Sequence, residues 1–203
     1  MCQIRAALPP QPAARAGDLI VPDVTIVVDV LNGFCKQGNL ASPRCDAAIP
    51  KILKAVEARR QAGDQLIFLA DTHDSNDREF EVFPVHCVRG TVESEVVPEL
   101  QPLLKEATLI RKRRYSGFFE TDLEARLRAA HPEQVTVVGV CTDICVLHTV
   151  ADLRNRDYRV VVPASAVETF DGPGHPGDEV QRWALAHLKG VLGAHLLFVS
   201  PSV

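Results

Sequence analysis

The stretch VTVVGVCTDICVLHTVADLRN, residues 135–155, decides the fold. Val135 to Val140 is a β-branched run of the kind expected in a strand covered on both faces. From Thr142 to Asn155 the apolar residues change to helical spacing. A strand that runs straight into a helix is the opening of a strand–helix–strand unit, and the same succession recurs on both sides. Upstream lie the run VTIVVDV (24–30), a helical pattern from Asp46 to Gln61 carrying Ile49, Ile52, Leu53 and Val56 up to a stop at Gly63, and the run QLIFLA (65–70). A long irregular stretch to about residue 100, the run ATLIRK (107–112) and a helical segment from Thr121 to Ala130, with Thr121 as its expected N-cap, complete that half. Downstream come YRVVVP (158–163), a helix from Asp178 to Lys189 and a last run, HLLFVS (195–200).

Strands alternating with helices imply parallel pairing through right-handed crossovers. The expected fold class is therefore α/β, a three-layer α/β/α sandwich with a mainly parallel sheet of about six strands. Residues 1–18 read as a Pro/Ala-rich tail, and residues 19–203 as a single domain, the size expected of a chain of 203 residues. In such folds ligands sit beyond the carboxyl ends of the strands. Polar residues with chemical potential gather at those ends: Asp29 closes the first run, Asp71 and His73 follow the second, Lys112 ends the third, and Cys141 to Cys145 follow the fourth.

Bulk properties exclude several classes. A formal net charge of -4 and the lack of a long basic run argue against nucleic acid as a partner, since Arg111 to Arg114 is too short a cluster. No stretch approaches the ~20 apolar residues of a membrane span. The first twenty residues, broken by Arg5, Arg15 and prolines, lack the apolar segment of a signal peptide. The six cysteines are accordingly expected as reduced thiols in the cytoplasm.

Cys145 falls in the opening turn of a helix that follows a strand. Unpaired N–H groups and the positive helix end favour a thiolate there and could hold an oxyanion. The plain alternative is a buried structural cysteine. Asp29 ends an apolar strand, where an unpaired carboxylate is costly and needs a partner or a task. Lys112 taken alone reads as a solvated lysine among arginines. The three together make a coherent set, in which the carboxylate accepts the thiol proton, the ammonium keeps that carboxylate ionised and the thiolate attacks. A second group is Asp71-Thr72-His73 with His86 thirteen residues later. Imidazole and carboxylate donors suit a divalent ion, zinc first, with manganese or iron as alternatives. Glu79 or Glu81, in the loop between, could add an oxygen. Cys141-x3-Cys145 has no second pair to complete a metal site, but two thiols so close leave a redox protein as an alternative. His148, one turn beyond Cys145, is expected as a packing or capping histidine rather than half of a Cys–His dyad. His175, in FDGPGHPG, is expected as a turn residue.

The segments VDVLNGF (28–34), DTHDSNDREFEVFPVHCVRGT (71–91), KRRYSGFF (112–119) and GVCTDICV (139–146) occur in the order found in the isochorismatase-like cysteine hydrolases. The resemblance runs from about residue 23 to 199 and is nearest to the nicotinamidases, which convert nicotinamide to nicotinate and ammonia. It implies Asp29 as general base and acid, Lys112 as its charged partner and Cys145 as nucleophile. It also implies a cis peptide between Val140 and Cys141, with the Cys141 and Cys145 N–H groups as the oxyanion site. Asp71, His73 and His86 stand where the metal motif of nicotinamidases places its ligands, and Glu79 where some members add a fourth. The metal would bind the pyridine nitrogen. Phe34 and either Tyr115 or Phe118 are the aromatic residues available to sandwich a ring. The sequence departs from the family at Leu31-Asn32-Gly33, where many relatives carry Gln-Asn-Asp, and at Thr72, where several nicotinamidases carry tryptophan. A related amidase acting on another small amide or ureido compound, or a catalytically silent binding homologue, are the other readings. Relatives commonly self-associate, so a homo-oligomer is implied.

Overall fold

The structure, a computed structural model, describes residues 22–198. The expected tail, residues 1–18, and the outer ends of the expected domain lie outside the described residues. The elements run β1 (Val24–Val28), α1 (Asn32–Cys35), α2 (Pro43–Gln61), β2 (Gln65–Asp71), β3 (Ala107–Lys112), α3 (Leu123–Ala130), β4 (Val135–Val140), a π-helical turn (Thr142–Val146), α4 (Leu147–Arg154), β5 (Val160–Pro163), β6 (Val167–Glu168), α5 (Gly177–Gly190) and β7 (His195–Leu197). All the strand pairs are parallel. The sheet has seven strands in the order β3-β2-β1-β4-β5-β7, and β6 pairs with the carboxyl end of β4. The extra strand relative to the sequence reading is β6, whose two residues are too few to show a pattern.

Alternate residues of each central strand enter different cores, which is why these strands read as continuous apolar runs. Val24, Ile26 and Val28 of β1, Ile67 and Leu69 of β2, and Val135 and Val137 of β4 pack with Leu127, Val150, Leu153 and Leu188 of the helices on one face. Val27, Phe68 and Val138 face the other way, onto Ile49, Ile52 and Val56 of α2. A sheet between two helical layers follows, as expected. Gly139 belongs to this packing: its φ is 123°, and a Cβ there would stand 2.0 Å from the carbonyl oxygen of Val28. Only glycine lets β1 and β4 run so close just before the turn that carries Cys145.

Helix ends differ from the sequence reading by a few residues. α2 begins at Pro43, three residues early, because the Ser42 hydroxyl accepts from Arg44 N–H (3.3 Å) and proline suits the first turn. α3 begins at Leu123 rather than Thr121, whose hydroxyl accepts the Leu123 N–H from outside the helix. Among the described residues no helix is long and apolar enough to cross a membrane.

Candidate active site

Parallel register carries the polar strand ends to one edge. Asp71 pairs directly with Lys112 across β2 and β3, and Val28 is level with Leu69 and Gly139. The next residue, Asp29, adopts φ 51°, a left-handed conformation that aspartate tolerates better than most. Its Oδ1 accepts the Asp71 N–H at 2.9 Å.

Lys112 is the hub. Its Nζ lies 2.7 Å from Asp29 Oδ2, 3.1 Å from Asp71 Oδ1 and 3.6 Å from Cys145 Sγ, and all four residues are buried. Burial pushes the Asp29 carboxyl up to about 6, with the Lys112 charge opposing. Burial also raises the Cys145 thiol well above its ordinary value, again against Lys112. For Asp71, burial alone would raise the carboxyl, but Lys112 and the two imidazoles beside it outweigh that and hold it below the usual range. Burial disfavours the Lys112 ammonium, yet Asp29 and Asp71 more than compensate, so it stays charged. Lys112 thus favours the ionised Asp29 carboxylate, while burial favours the protonated Cys145 thiol. The peptide between Val140 and Cys141 is cis. Cys141 O accepts from the N–H groups of Ile144 (3.2 Å) and Val146 (3.1 Å), which starts the turn that carries Cys145.

Asp71 joins this group to a second one. Its Oδ2 lies 2.9 Å from His73 Nε2 and 3.4 Å from His86 Nε2, and Glu79 Oε1 lies 3.9 and 4.0 Å from the same two nitrogens. One donor atom from each of the four residues falls within 4.8 Å of all the others, and all four are buried. The outer ring nitrogen of His86, Nδ1, lies 2.8 Å from Pro84 O, while His73 Nδ1 lies 3.3 Å from Asp77 Oδ2 without a hydrogen bond. Both Nε2 atoms thus point at carboxylate oxygens, where a cation could take the place of a shared proton. Charge makes the same point. Asp77 and Glu79 share the Arg114 guanidinium, at 2.8 and 3.7 Å, and Asp29 and Asp71 share the Lys112 ammonium, so four carboxylates face two cations. Burial together with the Asp71 charge raises the Glu79 carboxyl, and its Oε2 has no hydrogen-bond partner. A divalent cation would balance the excess of two negative charges, so the residues present fit such an ion.

Of these groups Asp71, Glu79, His86, Cys141 and Cys145 line the floor of a cavity of about 240 Å³, and the buried Lys112 touches Asp71 and Cys145. Phe34 and Tyr115 line it. Phe118 does not. It packs against the core on the α3–α4 face, with the Arg156 guanidinium 4.3 Å above its ring, so its expected place in the substrate pocket is corrected. Phe83 and Phe170 also line the cavity and escaped the sequence reading, because they sit in irregular segments where periodicity gives no direction, and Ile144 joins them from the π-helical turn. The one available signal was the Gly/Pro-rich run after a strand that follows Phe170. Glu81 turns out to solvent beside Arg78, while the one-turn helix capped by Asp77 points Glu79 inward. Thr72 is buried and donates to Ala70 O. His148 is exposed, with Nδ1 on Ile144 O at 2.7 Å and its ring against Tyr115, so it forms no dyad with Cys145. His175 is more than a turn residue, since it also binds Asp143.

Comparison with known proteins agrees with the fold and the motifs. The isochorismatase domain pattern matches residues 23–196. Nicotinamidase 1 of Arabidopsis thaliana is 34% identical over 185 residues, covering 80% of this chain and 75% of that protein. The crystal structure of a pyrazinamidase/nicotinamidase from Streptococcus mutans superposes with a TM-score of 0.79 at 32% identity, covering 86% of this chain and 99% of the other. A pyrazinamidase of Pyrococcus horikoshii solved in complex with zinc superposes at 0.77 with 28% identity, covering 87% and 99%. The domain match, the sheet order and the clustered strand-end residues together place this chain in the isochorismatase-like hydrolase family.

Proposed function

We propose that this protein hydrolyses a small aromatic carboxamide, nicotinamide, to its carboxylate and ammonia, with Cys145 as nucleophile. The observation that carries the reading is the meeting of Asp29, Lys112 and Cys145, buried, at the floor of a cavity walled by Phe34, Phe83, Tyr115 and Phe170. At about 240 Å³ that cavity is smaller than the ~300–1,000 Å³ of sites for drug-sized ligands, which suits a single-ring substrate. Its lining is mainly apolar, which favours a ring over a ureido chain.

In the first half-reaction the Asp29 carboxylate takes the Cys145 proton and the thiolate attacks the carboxamide carbon. The oxyanion forms toward the N–H groups of Cys141 and Cys145. The C–N bond then breaks, and the proton held on Asp29 passes to nitrogen, so ammonia leaves and a thioester remains. In the second half Asp29 takes a proton from water, hydroxide attacks the thioester, the C–S bond breaks and the sulfur recovers its proton. Lys112 keeps Asp29 ionised between these transfers. Asp71, His73, His86 and Glu79 would hold a divalent ion, zinc by the chemistry of its N/O donors, and the bound ion would supply a Lewis acid for the ring nitrogen that orients the carboxamide toward Cys145. The nicotinamidase and the zinc-bound pyrazinamidase among the similar proteins support this reading.

Ammonia release measured over a panel of nicotinamide, pyrazinamide, aliphatic amides and ureido compounds tests it. Preference for the pyridine and pyrazine amides is expected. Turnover of ureido compounds alone would reassign the substrate, and no turnover of any member would overturn the reading.

A further inference from the structure

The loop after β6 forms one wall of the cavity through Phe170, Asp171, Gly172 and Pro173, and the turn that carries Cys145 lies beside it. Val140 pairs with Glu168, so the chain leaves β4 and β6 side by side, one toward Cys141 and the other toward Thr169. A loop of this kind has no strand ladder to hold it and belongs to the weakly stabilised part of a fold. Here it is tied in an unusual way. Both carboxylate oxygens of Asp143, the second residue of the Thr142–Val146 turn, are occupied by the loop: Oδ1 accepts from the Thr169 hydroxyl at 2.5 Å and Oδ2 lies 2.9 Å from His175 Nε2. The other ring nitrogen of His175 lies 3.0 Å from Phe170 O. The imidazole is stacked flat on the Phe170 ring, 3.9 Å between centroids and 4° from parallel. His175 can reach back because Gly172 and His175 exchange two backbone hydrogen bonds, of 3.0 and 2.9 Å, around Pro173 and Gly174 (φ 72°), the residues a tight turn wants at its centre.

We infer that His175 is a positioning residue that holds Phe170 in the cavity wall and clasps that wall to the nucleophile turn through Asp143. The flank of the loop has separate anchors, Arg44 to Thr169 O (3.2 Å), Glu168 (2.9 Å) and Asp178 (2.7 Å), so removing the imidazole frees the wall without detaching the whole segment. A wall ordered before binding does not have to be ordered by the substrate, so the clasp acts on substrate affinity and ring selectivity rather than on bond breaking.

The inference rests on the amide-hydrolase reading for its kinetic readout only. A second readout is independent of substrate: the rate at which iodoacetamide alkylates Cys145, followed by fragment ions that separate a label on Cys145 from one on Cys141. His175→Ala should raise KM for nicotinamide by about 10-fold with kcat within about 3-fold, and speed Cys145 alkylation by about 10-fold. In a Phe170→Ala background the same substitution should have at most about a third of that effect, because only the link to Asp143 remains to be lost. Should His175→Ala lose its cooperative thermal transition, His175→Gln, which keeps a donor for Asp143 but not the stacked ring, should still give at least a roughly 3-fold shift in both. If wild type shows no amidase activity, the proposed function fails, and the alkylation rates alone decide on the clasp. Unchanged alkylation in the His175 variants, a loss confined to kcat, or an effect undiminished without Phe170 would overturn the inference.

Discussion

The floor and the walls of the cavity are built by different means. Four adjacent parallel strands deliver the floor: Asp29 after β1, Asp71 at the end of β2, Lys112 at the end of β3 and Cys141 after β4, each placed by ladder register. The walls come from connections, with Phe34 in the short helix after β1, Phe83 between β2 and β3, Tyr115 after β3 and Phe170 after β6. The sheet supplies positional precision at the strand ends, and the loops supply the shape of the cavity. If this division is right, substitutions in the floor should destroy turnover or folding, and substitutions in the walls should mainly shift affinity.

Cys145→Ala carries the largest expected effect. It removes the proposed attacking atom, and kcat for ammonia release should fall by at least about 10⁴-fold while the thermal transition stays cooperative. Retained turnover would remove Cys145 from the mechanism. Lys112→Met comes next and tests the floor as an electrostatic unit. It strands the buried carboxylates of Asp29 and Asp71 without their ammonium, so a urea titration should show a loss of about 3–5 kcal/mol, with kcat also reduced by at least about 100-fold. A variant as stable as wild type would mean that the charges are not as closely coupled as the 2.7 and 3.1 Å contacts imply.

His86→Ala probes the seam between floor and wall. It removes one donor of the four-residue cluster and one aromatic neighbour of Phe34. Bound divalent metal, read by elemental analysis, should drop by about 10–100-fold in affinity and KM should rise with it. Full activity in metal-free wild type would separate the cluster from the reaction. The smallest effects sharpen the comparison among aromatic residues of similar sequence context. Phe34→Ala should raise KM for nicotinamide by about 10-fold, whereas Phe118→Ala should leave KM and kcat within about 2-fold. The Phe118 variant should instead lose about 1–2 kcal/mol of stability, through its packing and the guanidinium above it. A KM change for Phe118→Ala would return that ring to the pocket.

Much of the floor was legible in the sequence because strands buried on both faces announce themselves as apolar runs, and a polar residue at such a run's end stands out. Asp29, Asp71, Lys112 and Cys145 were found that way, and the family resemblance added their expected roles. The walls were only half legible. Phe34 and Tyr115 lie a few residues beyond strand ends and were found, but Tyr115 and Phe118 belong to one short motif and nothing in it says which ring faces the cavity. Thr149 answers part of that question by accepting the Gly117 N–H at 3.1 Å, a contact between residues 32 apart.

By itself, then, the order of residues determined the alternation of strands and helices, the side of the sheet where chemistry gathers and most of the groups that meet there, since each follows from local periodicity and parallel register. Tertiary structure alone decided that Phe83 and Phe170 become walls, that a two-residue strand extends β4, and that His175 reaches Asp143. Those outcomes depend on side-chain direction in segments with no repeating backbone geometry, and there only contacts with distant parts of the chain set which way a residue points.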